Sequence, residues 1–351
     1  MKFILNAYNI YELGARSNQE DALYPEYGKI KDTDRLFIVC DGMGGHSAGE
    51  IASNTVCSAM SESVLSYSSD PEGVFSDDIF MKALDDAYNA LDTKDDGAEK
   101  KMGTTMTFLK LHEQGATIAH IGDSRVYHIR PGKAIDDTEI LFQTSDHSLV
   151  NELVKLGEMT PEEAKTSRQK NIITRAMQPG TENRHRADLY HTNDIKAGDY
   201  FLLCTDGVLE QMEDDNIKFI FSEKGGDDNN KVDMMVKVTE HNKDNHSAII
   251  VHITDVIDIP SSTVELAQTE ETDKSDNSAE SNKDDKCNFF SRHRLSIFIA
   301  IVVTIIFILA SIFFFDKKDN DNTKQEEKIE NVNEPRALSK KAHNSQQKLW
   351  R

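Results

Sequence analysis

Four aspartates stand where short apolar runs give way to glycine or polar loops. Asp41 ends the run LFIVC and precedes Gly42 in FIVCDGMGGHSAGE, Phe37 to Glu50. Asp206 precedes Gly207 in FLLCTDG, Asp123 lies within IAHIGDSRVYHIR, and Asp244 opens DNHSAIIVHI just before another apolar run. Nearer the N-terminus, GARSNQEDA adds Arg16, Glu20 and Asp21. Carboxylates that converge repel one another and cannot all stay ionised without compensation. A hard divalent cation supplies it: carboxylate and carbonyl oxygens suit Mg2+ or Mn2+, whereas zinc prefers His and Cys. Glycine after Asp41 and Asp206 leaves room for a carbonyl or a water beside such an ion. Apolar strand, glycine loop and helix start also make up the grammar of a phosphate-binding loop. With an aspartate inside the loop, phosphate is held through metal instead of by bare amides. One Asp-Gly at a strand end is ordinarily a turn, so the chemistry rests on the set.

The elements that must position these residues are legible in outline. Leu36–Cys40, Tyr200–Cys204 and Ala248–Ile253 read as buried strands, and Ala116–Ile121 as a more loosely alternating one. Asp123 is then expected at the tip of a hairpin, with Ser124 and Arg125 shaping the tip. Ile79, Phe80, Ala83, Leu84, Ala87, Tyr88 and Leu91 keep helical spacing behind a Ser76 N-cap, with Asp77 and Asp78 favourable to the helix dipole. Ile51, Ala52, Val56, Ala59, Met60 and Val64 form a second amphipathic face. Thr160-Pro161-Glu162-Glu163 is a capping box with proline at N1, inside a helical insert between Ser148 and Gly180. Strands with paired helices point to a layered α+β fold.

At 351 residues and a formal charge of -21, the chain has room for one large domain with appendages, and its acidity argues against nucleic acid as a partner. Cys40, Cys57 and Cys204 lie in apolar surroundings without a CxxC pair, and read as core residues of a reducing compartment. Cys287 lies near a membrane segment, where reversible acylation is one reading and an idle thiol the favoured one. The globular domain is expected over residues 1–256 and a polar, acidic, disordered linker over 257–294. Leu295 to Phe315, LSIFIAIVVTIIFILASIFFF, carries no charge. At about 1.5 Å per residue it is long enough to cross a hydrocarbon layer of about 30 Å as a transmembrane helix. Residues 316–351 form a polar tail. Lysines and arginines flank the span evenly, so charge does not set its orientation. The opening MKFILNAYNI lacks the apolar core of a signal peptide. The expectation is a single-pass membrane protein with its domain cytoplasmic and its tail extracytoplasmic.

Eight segments in this order resemble the metal-dependent serine/threonine protein phosphatases of type 2C, the PPM family, in its bacterial branch. They are RSNQEDA, FIVCDGMGGHSAGE, MGTTM, IGDSRVY, SDHSLV, NIITRAMQPG, LLCTDGVLE and DNHSAIIV, between about Tyr11 and Thr254. The resemblance implies a four-layer α-β-β-α sandwich with two Mn2+ or Mg2+ ions at one end of its sheets, and possibly a third. It implies that Asp41 bridges both ions, that the Gly42 carbonyl binds one, and that Asp206 and Asp244 complete the other. Glu20 and Asp21 match positions that hold metal-bound waters, Asp123 matches a ligand of the third ion, and Arg16 matches the arginine that grips phosphate. The stretch from about Ser148 to Asn193 matches a flap beside the site. Substrates would be phosphoserine and phosphothreonine in proteins, hydrolysed by water without a phosphoenzyme. A membrane serine/threonine kinase is the expected opposing partner.

Many eukaryotic relatives carry His two places after the first aspartate; here stands Met43, which has no proton to donate. His46 is expected to be structural, as are Thr104, Thr105 and Asn245, which would satisfy or fix nearby backbone; for Asp146 a turn role and a place near the third ion weigh equally. A phosphoprotein-binding pseudophosphatase is the rival from another class, and would be marked by lost site aspartates; all are present. No GNHE motif, GxGxxG loop or GxxxxGK[ST] loop points to another enzyme class.

Overall fold

The apolar runs form strands covered on both faces, which is why several read as unbroken apolar text rather than alternating. The computed structural model describes residues 1–44, 48–67, 70, 72–95, 97, 101–180 and 184–257. In chain order its strands and α-helices are β1 (Lys2–Glu12), β2 (Asp21–Tyr24), β3 (Leu36–Met43), α1 (Ala48–Tyr67), α2 (Asp77–Asp92), β4 (Gly103–Thr104), β5 (Met106–His112), β6 (Gly115–Ile121), β7 (Arg125–Arg130), β8 (Glu139–Gln143), α3 (Leu149–Lys155), α4 (Pro161–Thr166), β9 (Asp188–Thr192), β10 (Tyr200–Cys204), α5 (Asp214–Phe221), α6 (Asp228–Thr239) and β11 (His246–Ile257). They make two antiparallel sheets, one ordered β2-β3-β5-β6-β9 with β4 also paired to β3, the other β1-β11-β10-β7-β8.

Residue parity along the strands sorts the core into three layers. On β3, Leu36, Ile38 and Cys40 pack with Val56 and Met60 of α1 and Phe80 and Leu84 of α2. Their odd neighbours Phe37 and Val39 face the second sheet, meeting Phe201 and Leu203 of β10 and Ile249 and Val251 of β11. Those strands turn Leu202, Cys204 and Ile250 outward onto Ile217 and Phe221 of α5 and Met235 of α6. Helix, sheet, sheet and helix therefore alternate, as the period-two geometry of strands demands. Burying one such Phe or Leu side chain contributes about 1.5–3 kcal/mol.

Ser76 caps α2 by accepting from Ile79, and Thr160 with Glu163 forms the reciprocal capping box of α4. Ile51, expected on the buried face of α1, is instead 40% exposed. It stands one residue, or about 100°, off the stripe through Ala52, Val56 and Met60. The hairpin expected at Asp123 is also corrected. β6 pairs with β5 and β9, whereas β7 pairs with β8 and β10, so Gly122, Asp123 and Ser124 carry the chain from one sheet to the other. The linker, the Leu295–Phe315 span, the tail, Cys287 and His46 lie outside the described residues. Among those described, no helix is long and apolar enough to cross a membrane.

Candidate metal and phosphate centre

Antiparallel pairing gathers the aspartates at one end of both sheets. In the first sheet Asp21, opening β2, stands opposite Asp41 near the end of β3. Met106, opening β5, stands opposite Ile121, so the loop holding Asp123 leaves β6 at that same end. In the second sheet Cys204 of β10 pairs with Ala248 of β11, placing Asp206 just after one strand and Asp244 just before the other. Asp206 opens a 3-10 turn, Asp206–Glu210.

Glycine is demanded where two backbones cross. A Cβ on Gly42 would lie 2.2 Å from the Gly49 carbonyl oxygen and 2.4 Å from that of Glu20. A Cβ on Gly207 would lie 2.0 Å from the Asn245 carbonyl oxygen. The glycines thus let the Asp41 loop lie against the Glu20 loop and the start of α1, and the Asp206 turn against the Asp244 loop. The space expected for an ion's ligand is here taken up by neighbouring backbone.

The surrounding polar groups hold this frame. The Thr104 hydroxyl donates to the Asp41 carbonyl at 2.8 Å, and the Asp41 N–H donates to the Thr105 hydroxyl at 3.0 Å. Asn245 accepts from the Glu20 N–H at 2.8 Å and donates to the carbonyls of Leu13 and Asn18 at 2.9 and 3.0 Å. It pins the loop that carries Arg16. Both threonines and Asn245 therefore serve backbone. Asp146 grips Arg125 with two hydrogen bonds, 2.6 and 2.8 Å, an ion pair the sequence did not disclose.

The electrostatics are unbalanced. Burial pushes the Asp21 carboxyl up to about 7, and the charges of Asp206 and Asp244 raise it further, against the hydrogen bond from the Thr205 hydroxyl. Asp123 is likewise pushed to about 7 by burial and then by Asp206 and Asp146. Asp41 is raised well above the carboxylate range by burial, then by Asp21, Asp206 and Asp123. Asp206 is raised by burial, against a lowering contribution from the nearby Asp41 carboxyl, and further by Asp244, Glu210 and Asp146. One carboxyl oxygen each of Asp21 and Asp123 is buried without a hydrogen-bond partner among the described residues. Arg16 reaches Asp244 at 2.7 Å and stays 55% exposed.

Asp21, Asp41, Asp123, Asp206 and Asp244 thus form one electrostatically linked group, with Arg16 at the rim. Glu20 is half-buried, and its carboxyl carbon runs beside Gly49 at the start of α1. An all-oxygen donor set with partnerless buried oxygens and mutual repulsion fits hard divalent cations. His120, His147 and Asp188 form a separate group whose ligand atoms lie within 4.8 Å of one another. There the hydrogen bonds are already complete: His147 Nδ1 accepts from the Gly122 N–H at 3.1 Å, and Nε2 faces Asp188 at 3.1 Å.

A layered α/β domain whose sheet ends gather carboxylates is the architecture of a metal-dependent phosphatase. The protein phosphatase 2C family profile matches residues 13–235, and the chain belongs to that family. It is 34% identical over 205 residues to protein phosphatase PhpP of Streptococcus pneumoniae, covering 58% of this chain and 79% of that one. The solved structure of serine/threonine phosphatase Stp1 from Staphylococcus aureus is similar with a TM-score of 0.58 at 31% identity, over 72% of this chain and 97% of that one. The catalytic domain of serine/threonine protein phosphatase PstP, solved in complex with two manganese ions, is similar with a TM-score of 0.56 at 27% identity, over 72% and 100%.

Proposed function

We propose that this protein hydrolyses phosphoserine and phosphothreonine in other proteins at a centre that takes two Mn2+ or Mg2+ ions, with room for a third. The convergence of Asp21, Asp41, Asp123, Asp206 and Asp244 into one under-compensated cluster carries this reading. Asp41, which feels the charges of Asp21, Asp206 and Asp123, would be a ligand of both ions, with the Gly42 carbonyl on one and Asp206 and Asp244 on the other. Asp123 and Asp206 would hold the third. Asp21, 1% exposed behind Asp41, and Glu20 would accept hydrogen bonds from the ions' waters. When bound, such ions lower the pKa of a coordinated water and neutralise charge on a phosphoryl group.

The chain's own residues supply the rest. Arg16 can swing from Asp244 to fork onto two phosphoryl oxygens, as its exposure allows. Thr104, Thr105 and Asn245 hold the carbonyls and loops that set the spacing. Met43, half-buried at the end of β3, cannot protonate the departing serine or threonine oxygen; that proton must come from solvent water in the site. The test is phosphate release from a phosphoserine peptide by the purified full-length protein, with manganese and then with chelator. Release that persists unchanged after chelation sinks the proposal, and peptide binding without release makes the protein a reader of phosphate.

We further propose that the segment Leu295–Phe315 anchors the protein in a membrane, with the domain of residues 1–256 cytoplasmic, residues 257–294 a flexible linker and residues 316–351 outside. The support is an uncharged run of spanning length. Tethering would raise the local concentration of the domain near membrane-bound phosphoproteins. A membrane serine/threonine kinase and its targets are then the natural partners. Extraction of the full-length chain from membranes by salt alone would refute the anchor, and absence of any membrane kinase or kinase target on co-purification would refute the pairing.

A further inference from the structure

We propose that His147 is a positioning residue that couples the flap to the loop carrying Asp123, through one fixed imidazole tautomer. This rests on Asp123 belonging to the centre described above.

His147 sits where the insert departs, one residue before the Ser148 N-cap of α3. Its ring is buried and clamps one residue from both sides. The Gly122 N–H donates to Nδ1 at 3.1 Å, and the His147 N–H donates to the Gly122 carbonyl at 2.9 Å. Gly122 has little freedom to answer differently. Its φ is +106°, and a Cβ there would lie 2.5 Å from the Thr105 methyl group. Asp123 is the next residue, so this clamp sets where its carboxyl begins.

Because Nδ1 accepts an N–H, the neutral ring carries its proton on Nε2. That proton is donated to Asp188 Oδ2 at 3.1 Å. Asp188 opens β9, where the insert rejoins the sheet, so one hydrogen bond ties its two ends. Arg175, from within the insert, donates to the other oxygen of Asp188 at 3.1 Å. The returning chain is stitched beside it: Thr174 N–H donates to the His147 carbonyl at 2.8 Å and Leu149 N–H to that of Ile172 at 2.9 Å. His120 stacks on the ring at 4.4 Å and donates from its own Nε2 to the Ser145 carbonyl at 3.0 Å. A cation at Nε2 of His147 would have to displace the proton that lets Nδ1 accept, and would crowd Arg175. The group is therefore a hydrogen-bonded coupler rather than a cation site.

The two arms can be cut separately. In His147→Asn the side-chain oxygen stands near the place of Nδ1 and keeps the Gly122 arm, but stops short of Asp188. In His147→Gln the amide reaches toward Asp188 and forfeits the Gly122 arm. The full-length protein is read two ways: manganese binding by titration calorimetry, and the rate of tryptic cleavage in the insert at Lys165, Arg168 and Lys170. His147→Gln should weaken manganese binding by about tenfold, the low end for loss of an outer-shell partner, with cleavage near wild type. His147→Asn should leave manganese binding near wild type and speed cleavage about fivefold, the weight of one lost buried hydrogen bond on local opening. Variants that lose both properties equally, or neither, overturn the coupling. Loss of one bound ion from both variants, but not from Asp123→Asn, would make the group a cation site after all and equally overturn it. If the wild type instead binds no manganese and releases phosphate under chelation, it is the proposed function that fails.

Discussion

Strand β10 has an aspartate at each end, and the two live under opposite rules. Asp199, just before the strand, is 1% exposed. It accepts from His128 at 3.0 Å, from Arg130 at 2.9 and 2.8 Å, and from the Lys196 N–H at 2.9 Å. Burial alone would raise its pKa, but these partners bring it below the usual range. Asp228 nearby is treated alike, receiving Tyr200 at 2.7 Å and His252 at 2.9 Å. A pocket of about 390 Å³ opens here, yet its Arg130, Lys231 and His252 already have partners. Asp206, about 20 Å away at the strand's rise of about 3.3 Å per residue, is met by Asp41 and Asp244 instead. One end of the sheets closes its charges with the chain's own cations. The other end leaves them open, which folding alone would not favour.

The largest effect should come from exchanging the two ends' losses. Asp206→Asn should lower turnover by more than about a hundredfold, since even an outer-shell partner of a metal can be worth that. It should not destabilise the chelated protein in urea, because it removes repulsion. Asp199→Asn should do the reverse, costing about 2–3 kcal/mol in urea by stranding His128 and Arg130, with turnover retained at a permissive temperature. Full activity of Asp206→Asn at saturating manganese would mean that the ligands are wrongly assigned.

The same contrast predicts opposite pH responses. Asp21 and Asp123 hold their protons up to about 7 when folded, against a value near 3.8 when unfolded. Between those limits the folded state binds more protons, so stability falls as pH rises from about 4 to about 7. Asp199 has a lowered folded pKa; its contribution is present above the unfolded value and disappears as pH falls through the folded one. Urea unfolding under chelation should therefore show stability declining from pH 5 to 7.5. Manganese at a hundred times its Kd should offset the decline by about 2.7 kcal/mol at neutral pH. A chelated protein equally stable at both pH values would mean that the cluster is not compressed.

Much of the open end could be read in the sequence because its grammar is local. An apolar run ending in Asp-Gly marks both Asp41 and Asp206, and the glycines prove necessary for the crossing backbones. The strand Tyr200–Cys204 has the predicted bounds. The passage from β6 to β7 was misread because Gly-Asp-Ser between two apolar strands is written the same way whether the strands pair or change sheets. Only the partners β9 and β10, far along the chain, distinguish the cases. His147 stands within SDHSLV with no role legible there, since its partners Gly122 and Asp188 are 25 and 41 residues distant. Asp199 escaped for the same reason: its pairing with His128 spans 71 residues. Periodicity reports faces and turns, and these contacts belong to neither.

Arg16 stands on the boundary of the comparison, the cation that the chain itself offers to the open end. In the structure it neutralises Asp244 at 2.7 Å, the position proposed for a metal ligand. Metal and guanidinium therefore compete for Asp244, and a bound metal leaves Arg16 available for phosphate. Arg16→Ala should raise KM for a phosphopeptide about tenfold, the loss of about one charge-assisted hydrogen bond, with a smaller change in kcat. Its manganese affinity should be equal to or tighter than that of wild type. Weaker manganese binding would instead make Arg16 part of the frame that shapes the metal site.

The smallest effect is expected at Met43, which lies two residues past Asp41 and pairs with Gly103 in the short β3–β4 ladder. It is half-buried, so its truncation removes some packing but opens no deep cavity. A thioether has no proton to transfer and is a poor ligand for hard cations. Met43→Ala should therefore keep kcat within about threefold and leave its pH profile unchanged, because a general acid contributes about 10²–10⁴-fold and this side chain cannot be one. Met43→His tests the same position from the other side. If proton donation to the leaving oxygen limits the rate, histidine there should raise kcat for a poor leaving group and leave it unchanged for an aryl phosphate. A hundredfold loss in Met43→Ala would place this residue inside the open end's chemistry and erase the distinction between groups that carry charge there and groups that merely border it.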